Sequence, residues 1–487
     1  MQLTYHLHHP GGESAPGDPN AAFCLDGVYH LHYILRHPFG GEASYSFVHV
    51  TSPDMLHWTW QRTRLQPSFT GHGMFSGTGF VTKDGQPAAI YHGQGSGRNW
   101  IALAKDRSLS AWENPYPVDV RHPDGTPAEI SHWDPDCFRV GDTYYAISGG
   151  QTPPLMRSTD LRRWTLVGNF LSHDLADVAI GEDISCPNFF PLDGRWVLLC
   201  ISHWLGCRAY IGDWDAGAEQ FVPERLVRMN WRRDTQGFYG CFHRTDFFAP
   251  ESVLTPDGRR VMWAWITRVD GADGEPNLQS IQSLPRELSL DADGALRTRP
   301  LRELETLRSD PQVLRDVVIS EVSRAVTLQG GTSPVRVASW TGDAVEVRIT
   351  VARDQVERKL FGFVLSGGGS DPGHPIVLRP DTGTLRVGAT EAPFAVAELP
   401  AGEDLELRVF VDGPLVEVFA NGRQTVYSSR TSSGGEMALD AFTVGAPTTV
   451  RGVEIWKVRR TNQGFLDARE SRIWEPGRSD GSGTASS

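Results

Sequence analysis

The sequence predicts an all-β protein in two units: repeated small sheets gathered round a common centre, then a β-sandwich. Three observations predict it. Four short polar motifs follow one another, Gly17-Asp18-Pro19-Asn20, Phe75-Ser76-Gly77-Thr78, Trp133-Asp134-Pro135-Asp136 and Ser185-Cys186-Pro187-Asn188. They recur at roughly 50 to 60 residues, and each leads into an aromatic or β-branched run, as where several sheets each bring one polar group to a shared cavity. A second rhythm brackets a Leu between Asp and Trp: Asp54 to Trp58, Asp160 to Trp164 and, more loosely, Asp106 to Trp112. One such segment per unit, with Trp covering the outer strand, is the habit of propeller blades. Third, residues 312 to 458 alternate apolar and polar with period two, the signature of half-buried strands.

Taken in order, the segments bear this out. Val28 to Tyr33, Tyr45 to Val50, Ala88 to His92, Thr143 to Ser148, Trp196 to Ile201 and Arg260 to Trp265 are apolar or alternating runs of strand length. Asp84-Gly85, Asp124-Gly125, Asp193-Gly194 and Asp257-Gly258 supply turns between them. Residues 1–295 form the first unit, and 296–311 a connector with a short helix. In the second unit, 312–460, Ala344 to Ile349, Leu405 to Val411 and Leu415 to Phe419 alternate strongly, the last two joined by Asp412-Gly413-Pro414. Residues 461–487 turn polar and end in Gly, Ser and Thr, a composition expected to be disordered.

Bulk composition limits the function classes. A chain of 487 residues is long enough for two cores, and 51 Gly with 48 aromatic residues favour short strands and tight turns over long helices. The net charge of −13, with no basic block, argues against nucleic acid or an anionic membrane as partner. Neither a secretory signal at the amino terminus nor an apolar run of membrane-spanning length is present, so a cytoplasmic protein is expected. Six cysteines, Cys24, Cys137, Cys186, Cys200, Cys207 and Cys241, match no zinc spacing and are read as buried thiols. His9, His49, His72, His92, His132, His203 and His243 lack a ligand spacing and are read as pocket lining or strand packing; no metal or cofactor is expected.

The chain resembles glycoside hydrolase family 32, the invertases, inulinases and levanases, over residues 5 to 460. Tyr5-His6-Leu7 with Asp18-Pro19-Asn20 is similar to the family's opening signature. Phe47-Val48-His49 leading to Asp54 and His57-Trp58, then Phe75-Ser76-Gly77-Thr78, Asp246-Phe247-Phe248-Ala249-Pro250 and Ser283-Leu284-Pro285-Arg286-Glu287-Leu288 continue the likeness. Asp412 to Asn421 resembles the sandwich's Glu-Val-Phe segment. The resemblance implies a five-bladed propeller followed by a β-sandwich, and a retaining glycosidase acting on terminal β-linked fructosyl units. Four positions depart from the pattern: Gly17 stands for Asn, Ile34 for Gln, Trp133 for Arg, and Ser185 for the general-acid Glu of Glu-Cys-Pro.

Retaining hydrolysis needs two carboxyl groups about 5 Å apart, one attacking the anomeric carbon and one protonating the leaving oxygen. By the resemblance Asp18 is the nucleophile, with Asn20 beside it as a hydrogen-bonding group. Asp134 holds sugar hydroxyls and stabilises the oxocarbenium-like state. Phe75, Ser76, Trp133, Ser185 and Asp246 line or rim the pocket. A serine hydroxyl cannot protonate a leaving alcohol at neutral pH as a carboxylic acid can. Three candidates stand in for it. Asp183 lies two residues before Ser185, hence on the same strand face about 6.5 Å away. Glu182 points to the other face unless the segment bulges. Glu251 follows Phe-Phe-Ala-Pro on the last blade. Trp204, Trp231 and Tyr239 are candidate stacking walls. The expected partner is a small carbohydrate: a fructan, a fructo-oligosaccharide or an unusual fructoside such as a difructose anhydride. Fructosyl transfer, an arabinofuranosidase activity and a catalytically weakened carbohydrate-binding propeller are the alternatives. Oligomeric state is not written in the sequence.

Overall fold

The computed structural model describes residues 2–477 apart from 13, 234–245, 268, 270–280, 320–333, 368–372, 432–434 and 445. Tyr239, Cys241 and His243 lie outside the described residues, as does the end of the tail from 478.

Between residues 15 and 300 the described strands form five sheets, each running outward from an inner strand in antiparallel order, except that Val120–Arg121 pairs parallel to Trp164–Asn169 at the edge of the third. The inner strands are Ala15–Leu25, Met74–Val81, Pro135–Val140, Ser185–Leu192 and Phe247–Leu254, and each adjoins the next until the fifth touches the first. The fold is a β-propeller followed by a β-sandwich. Second strands such as Arg195–Ser202 are apolar on both faces, Val197 through Ile201 all being buried, because neighbouring sheets cover both sides. The Asp-to-Trp rhythm has one structural use. Asp54, Asp106 and Asp160 accept backbone N–H groups of the turn before the outermost strand. Met55, Leu109 and Leu161 take left-handed φ, and Trp58, Trp112 and Trp164 close over the sheet, buried.

The propeller and connector boundaries move. Leu296–Pro300 is the outermost strand of the fifth sheet, so the propeller reaches 300. The connector's helix is a 3₁₀ segment, Arg302–Leu307, and the sandwich's first strand, Arg308–Ile319, starts directly after it. Two sheets, six-stranded and seven-stranded among the described residues, enclose the sandwich core; Arg232–Arg233 from the propeller pairs at the edge of the larger one.

The expectation of disorder from 461 is corrected for residues 461–477. Gln463–Ser471 is a helix whose Phe465 packs on His8 and Trp60. Trp474, 1% exposed, stacks edge-on to His9 and donates its indole N–H to Ala468 O. Two widely spaced aromatic anchors in a polar stretch suffice to dock it, which average composition conceals.

Three segments of the family resemblance meet where the two domains join. Asp412 accepts the N–H groups of Thr4, Tyr5 and His6 at 2.7–3.0 Å. The His6 ring bridges Asp412 (2.9 Å) and Glu417 (3.1 Å). Glu417 also accepts from Arg286 and from Leu284 N–H. All four side chains are buried. Burial alone lowers the His6 pKa, but the two carboxylates overcome it and raise it to about 9; burial raises Glu417, yet Arg286 and His6 bring it down to about 2. This clasp pairs each buried charge with an opposite one, the form in which buried charge is tolerated.

Candidate active site

The five inner strands converge on one end of the central axis, and irregularities in four of them aim the polar motifs there. Pairing shifts occur at Pro16/Pro19 and Asn20/Phe23, at Met74/Gly77, at Ser185/Asn188 and at Phe248/Glu251. Ala21, Cys186 and Ala249 take positive φ at three of them. A bulge bends the strand and re-aims side chains, so Asp18, Ser76 and Cys186 turn toward the axis instead of alternating away from it. Asp134 sits one residue before its strand begins.

Asp18 and Asp134 face one another. The Cys186 sulfur lies 3.4 Å from Asp134 Oδ2 and 3.8 Å from Asp18 Oδ2, so the two carboxyl groups meet across a single atom. Ser76 Oγ donates to Asp18 Oδ2 at 2.6 Å, and Cys186 N–H donates to Asp134 Oδ2 at 3.1 Å. Asn20 ties the first two inner strands, donating to Asp18 O and accepting Gly77 N–H, both at 2.8 Å. Burial raises the Asp18 pKa against the pull of Ser76; burial and then the charge of Asp18 raise Asp134 to about 6. Asp18 remains half-buried and Asp134 is buried. Two acids pushed upward with hydroxyl, thiol and amide donors around them form an uncompensated centre that a substrate can complete.

Around the opening runs an arc of rings in sequential contact: Tyr45, Phe75, His92, Trp133, His203, Phe248 and Trp265. Trp133 is 40% exposed, and its indole N–H donates to Ser185 Oγ at 3.0 Å. Ser185 Oγ donates to Asp183 Oδ2 at 2.8 Å. Asp183 also holds His203 twice, by Nδ1 at 2.6 Å and by the backbone N–H at 2.9 Å.

Residues 13–300 match the Glycosyl hydrolases family 32 N-terminal domain and residues 303–457 the family's C-terminal domain. The chain belongs to glycosyl hydrolase family 32. It is a glycosidase of that family. It is 26% identical to a sucrose-6-phosphate hydrolase of Salmonella typhimurium, with 90% of this chain and 92% of that protein covered. It is 28% identical to a raffinose invertase of Escherichia coli, with 88% of each covered. Fructan 1-exohydrolase IIa from Cichorium intybus, solved in complex with 1-kestose, shares the fold at TM-score 0.73 and 18% identity, covering 95% of this chain and 98% of that one.

In this family 32 chain Gly17 and Ile34 are neighbours, and so are Trp133 and Ser185. A side chain on Gly17 would meet Ile34 at 3.8 Å, and Trp133 is bonded to Ser185. The three stand-in acids separate. Glu182 turns to the far face and is clamped by Arg208 and by Arg228 at 2.8 Å; against burial, these arginines hold its carboxyl low. Glu251, 1% exposed, lies one layer down the axis, accepting Ala22 N–H at 3.4 Å beside Asp136 and Arg260. Asp136 is held there by Thr78 Oγ1 and Phe189 N–H, both at 2.7 Å, and joins blades from below. The pairing shift between Phe248 and Glu251, with Ala249 at positive φ, lies just before this buried acid. Asp183 is bonded to Ser185 and to His203 of the ring arc, and there burial is outweighed by His203, which brings it to about 2.

Asp246 is buried at the start of the fifth inner strand, its N–H given to Asn230 at 2.8 Å. Trp231 donates its indole N–H to Thr425 O of the sandwich, so it braces the domains and forms no sugar wall. Trp204 is exposed. The thiols Cys137, Cys186, Cys200 and Cys207 are buried and Cys24 is partly so, all free. Among the described residues no group of three His, Cys, Asp or Glu could hold a metal ion, and no helix is long and apolar enough to cross a membrane. His30, His49 and His32 instead form a stacked column inside the first sheet, with His32 bonded to Ala21 O.

The sequence names Cys186 within its fourth motif and His203 as pocket lining or strand packing, but it does not show that Cys186 lies between the two acids or that His203 is bonded to Asp183.

Proposed function

We propose that the protein is a retaining β-fructofuranosidase that acts on a small fructoside through its non-reducing terminal fructosyl unit. The observation that carries this reading is the pair Asp18 and Asp134 facing across Cys186, with Asp18 half-buried. Asp18 attacks the anomeric carbon and forms a fructosyl ester, which water then opens. Asp134, its carboxyl anchored by Cys186 N–H, accepts sugar hydroxyls and balances the positive charge that develops on the ring. The arc of rings gives apolar faces on which a furanose and its leaving group pack. Names of the relatives, a sucrose-6-phosphate hydrolase, a raffinose invertase and a levanase from Bacillus subtilis, support a fructosyl substrate. The paired departures Gly17/Ile34 and Trp133/Ser185 reshape two edges of the pocket and favour a fructoside other than plain sucrose, or transfer of the fructosyl unit to a second sugar. Free thiols fit work in a reducing compartment.

The test is a substrate panel of sucrose, raffinose, inulin- and levan-type oligosaccharides, difructose anhydrides and arabinofuranosides. NMR reads the first anomer released. The reading requires fructose released with retention, and loss of turnover by about 10⁴-fold or more in Asp18→Asn. Inverted product, or full activity in that variant, would refute it.

A further inference from the structure

Retaining hydrolysis needs a proton at the leaving oxygen, and the structure narrows where it comes from. Of the described carboxyl groups near the centre, Asp18 and Asp134 are the facing pair. Glu182 is bonded to two arginines, Glu251 lies a layer below, and Asp183 is spent on Ser185 and His203. His203 has Nδ1 fixed on Asp183, while Nε2 has no hydrogen bond to a described residue. Its half-exposed ring stands between Trp133 and Phe248 in the arc, at centroid separations of 6.3 and 5.9 Å.

We propose that His203 is the proton donor and acceptor of this enzyme, and that Asp183, braced by Ser185 and Trp133, is the positioning residue that fixes its ring. The proposal rests on the fructosidase reading above and assigns its missing acid. In the first step Asp18 bonds to the anomeric carbon as the carbon–oxygen bond to the leaving group breaks. The Nε2 proton of the His203 imidazolium passes to that oxygen, leaving a neutral imidazole. In the second step the imidazole takes a proton from water, whose oxygen bonds to the anomeric carbon while Asp18 departs as carboxylate. The sum is fructoside plus water giving fructose plus alcohol, with both residues restored. A carboxylate holding the other nitrogen orients the imidazole and stabilises its imidazolium form, as the carboxylate does in acyl-transfer triads. The groups facing it are Asp183 from the segment before the fourth inner strand, Asp18 from the first inner strand and Asp134 from the lead into the third. The hydrogen bond to Asp183 raises the His203 pKa against burial, and the charges of Asp183, Asp134 and Asp18 add to it.

The experiment compares two leaving groups on wild type, His203→Gln, Asp183→Asn and Asp18→Asn. One is the best alkyl-type fructoside of the panel, and the other a 4-nitrophenyl fructofuranoside, whose phenolate leaves without a proton. His203→Gln is expected to lose about 10²- to 10⁴-fold in kcat on the alkyl fructoside. Its pre-steady-state release of nitrophenolate stays within about tenfold of wild type. The alkaline limb of its kcat/KM profile disappears. Asp183→Asn keeps that limb but moves it to lower pH. Equal losses on both substrates, or an alkaline limb unchanged in both variants, overturn the assignment. If His203→Gln does not fold, the direction of the Asp183→Asn limb decides. Asp18→Asn separates the two levels: activity surviving there defeats the fructosidase reading itself, whatever His203 does.

Discussion

The chain buries two clusters of carboxylates and handles them in opposite ways. At the domain junction Asp412 and Glu417 meet His6, Arg286 and the backbone N–H groups of Thr4, Tyr5, His6 and Leu284, and both carboxyls are held low. At the propeller's axis Asp18 and Asp134 meet each other, a thiol, a hydroxyl and one amide, and both are pushed up. Burial acts identically on all four acids. The difference is whether a cation is hydrogen-bonded to them: His6 and Arg286 bond directly to the junction pair, whereas His203 acts on the axial pair only through its charge. The clasp is complete without any ligand and is therefore a fastener; the axial pair is incomplete and is therefore a site.

The strongest way to break this comparison is to remove the cation from the fastener. His6→Ala leaves Asp412 and Glu417 buried without their shared partner, and an expected loss of about 3–5 kcal/mol in unfolding free energy follows. Turnover per folded molecule stays near wild type. Denaturant unfolding with kcat measured below the transition checks both halves. A matching pH signature belongs to wild type. The folded His6 pKa, about 9, exceeds its unfolded value, so its contribution is whole below about 6.5 and fades as pH rises through 9; that of Glu417 is whole above about 4.5 and fades as pH falls toward 2.

Removing a charge from the site should do the reverse. Asp134 has a folded pKa of about 6, above its unfolded value, so its ionisation costs stability as pH rises from about 4 to 6. Asp134→Asn is expected to stabilise the fold by roughly 1–3 kcal/mol above pH 6 and to leave it unchanged below pH 4. The same variant loses about 10²-fold or more in kcat. Thermal unfolding at the two pH values, beside turnover, reads the opposed effects. The smallest effect belongs to Glu251, buried among structural groups below the opening. Glu251→Gln should alter kcat by less than about tenfold, and a larger loss would bring that layer into the chemistry.

What could be read in advance follows from how local each signal is. The inner-strand motifs are legible because a polar residue beside Pro, followed by an apolar run, is a short-range feature that the bulges preserve. The Asp-to-Trp turns are legible for the same reason, since Asp160 caps N–H groups two and three residues away. His203 is hidden because its neighbour is set by register. From the tight turn, Leu192 pairs with Arg195, which would set residue 183 opposite position 204. The bulge at Cys186 shifts the pairing so that Ser185 opposes Ile201, and Asp183 therefore meets His203 instead. Glu182 follows plain alternation to the other face, into Arg208 and Arg228. The docked helix Gln463–Ser471 is hidden differently: its two anchors, Phe465 and Trp474, are diluted by polar neighbours, and only the receiving surface of His8, His9 and Trp60 gives them meaning.

The central claim, that the uncompensated acid at the axis is the group that bonds to sugar, is tested most directly by catching the bond. Wild-type enzyme turning over a 4-nitrophenyl fructofuranoside is quenched rapidly in acid, digested and weighed by mass spectrometry. The account predicts one fructosyl unit on the peptide carrying Asp18, absent in Asp18→Asn. A fructosyl ester on Asp134 or elsewhere, or none at a time when nitrophenolate has been released in a burst, would contradict it.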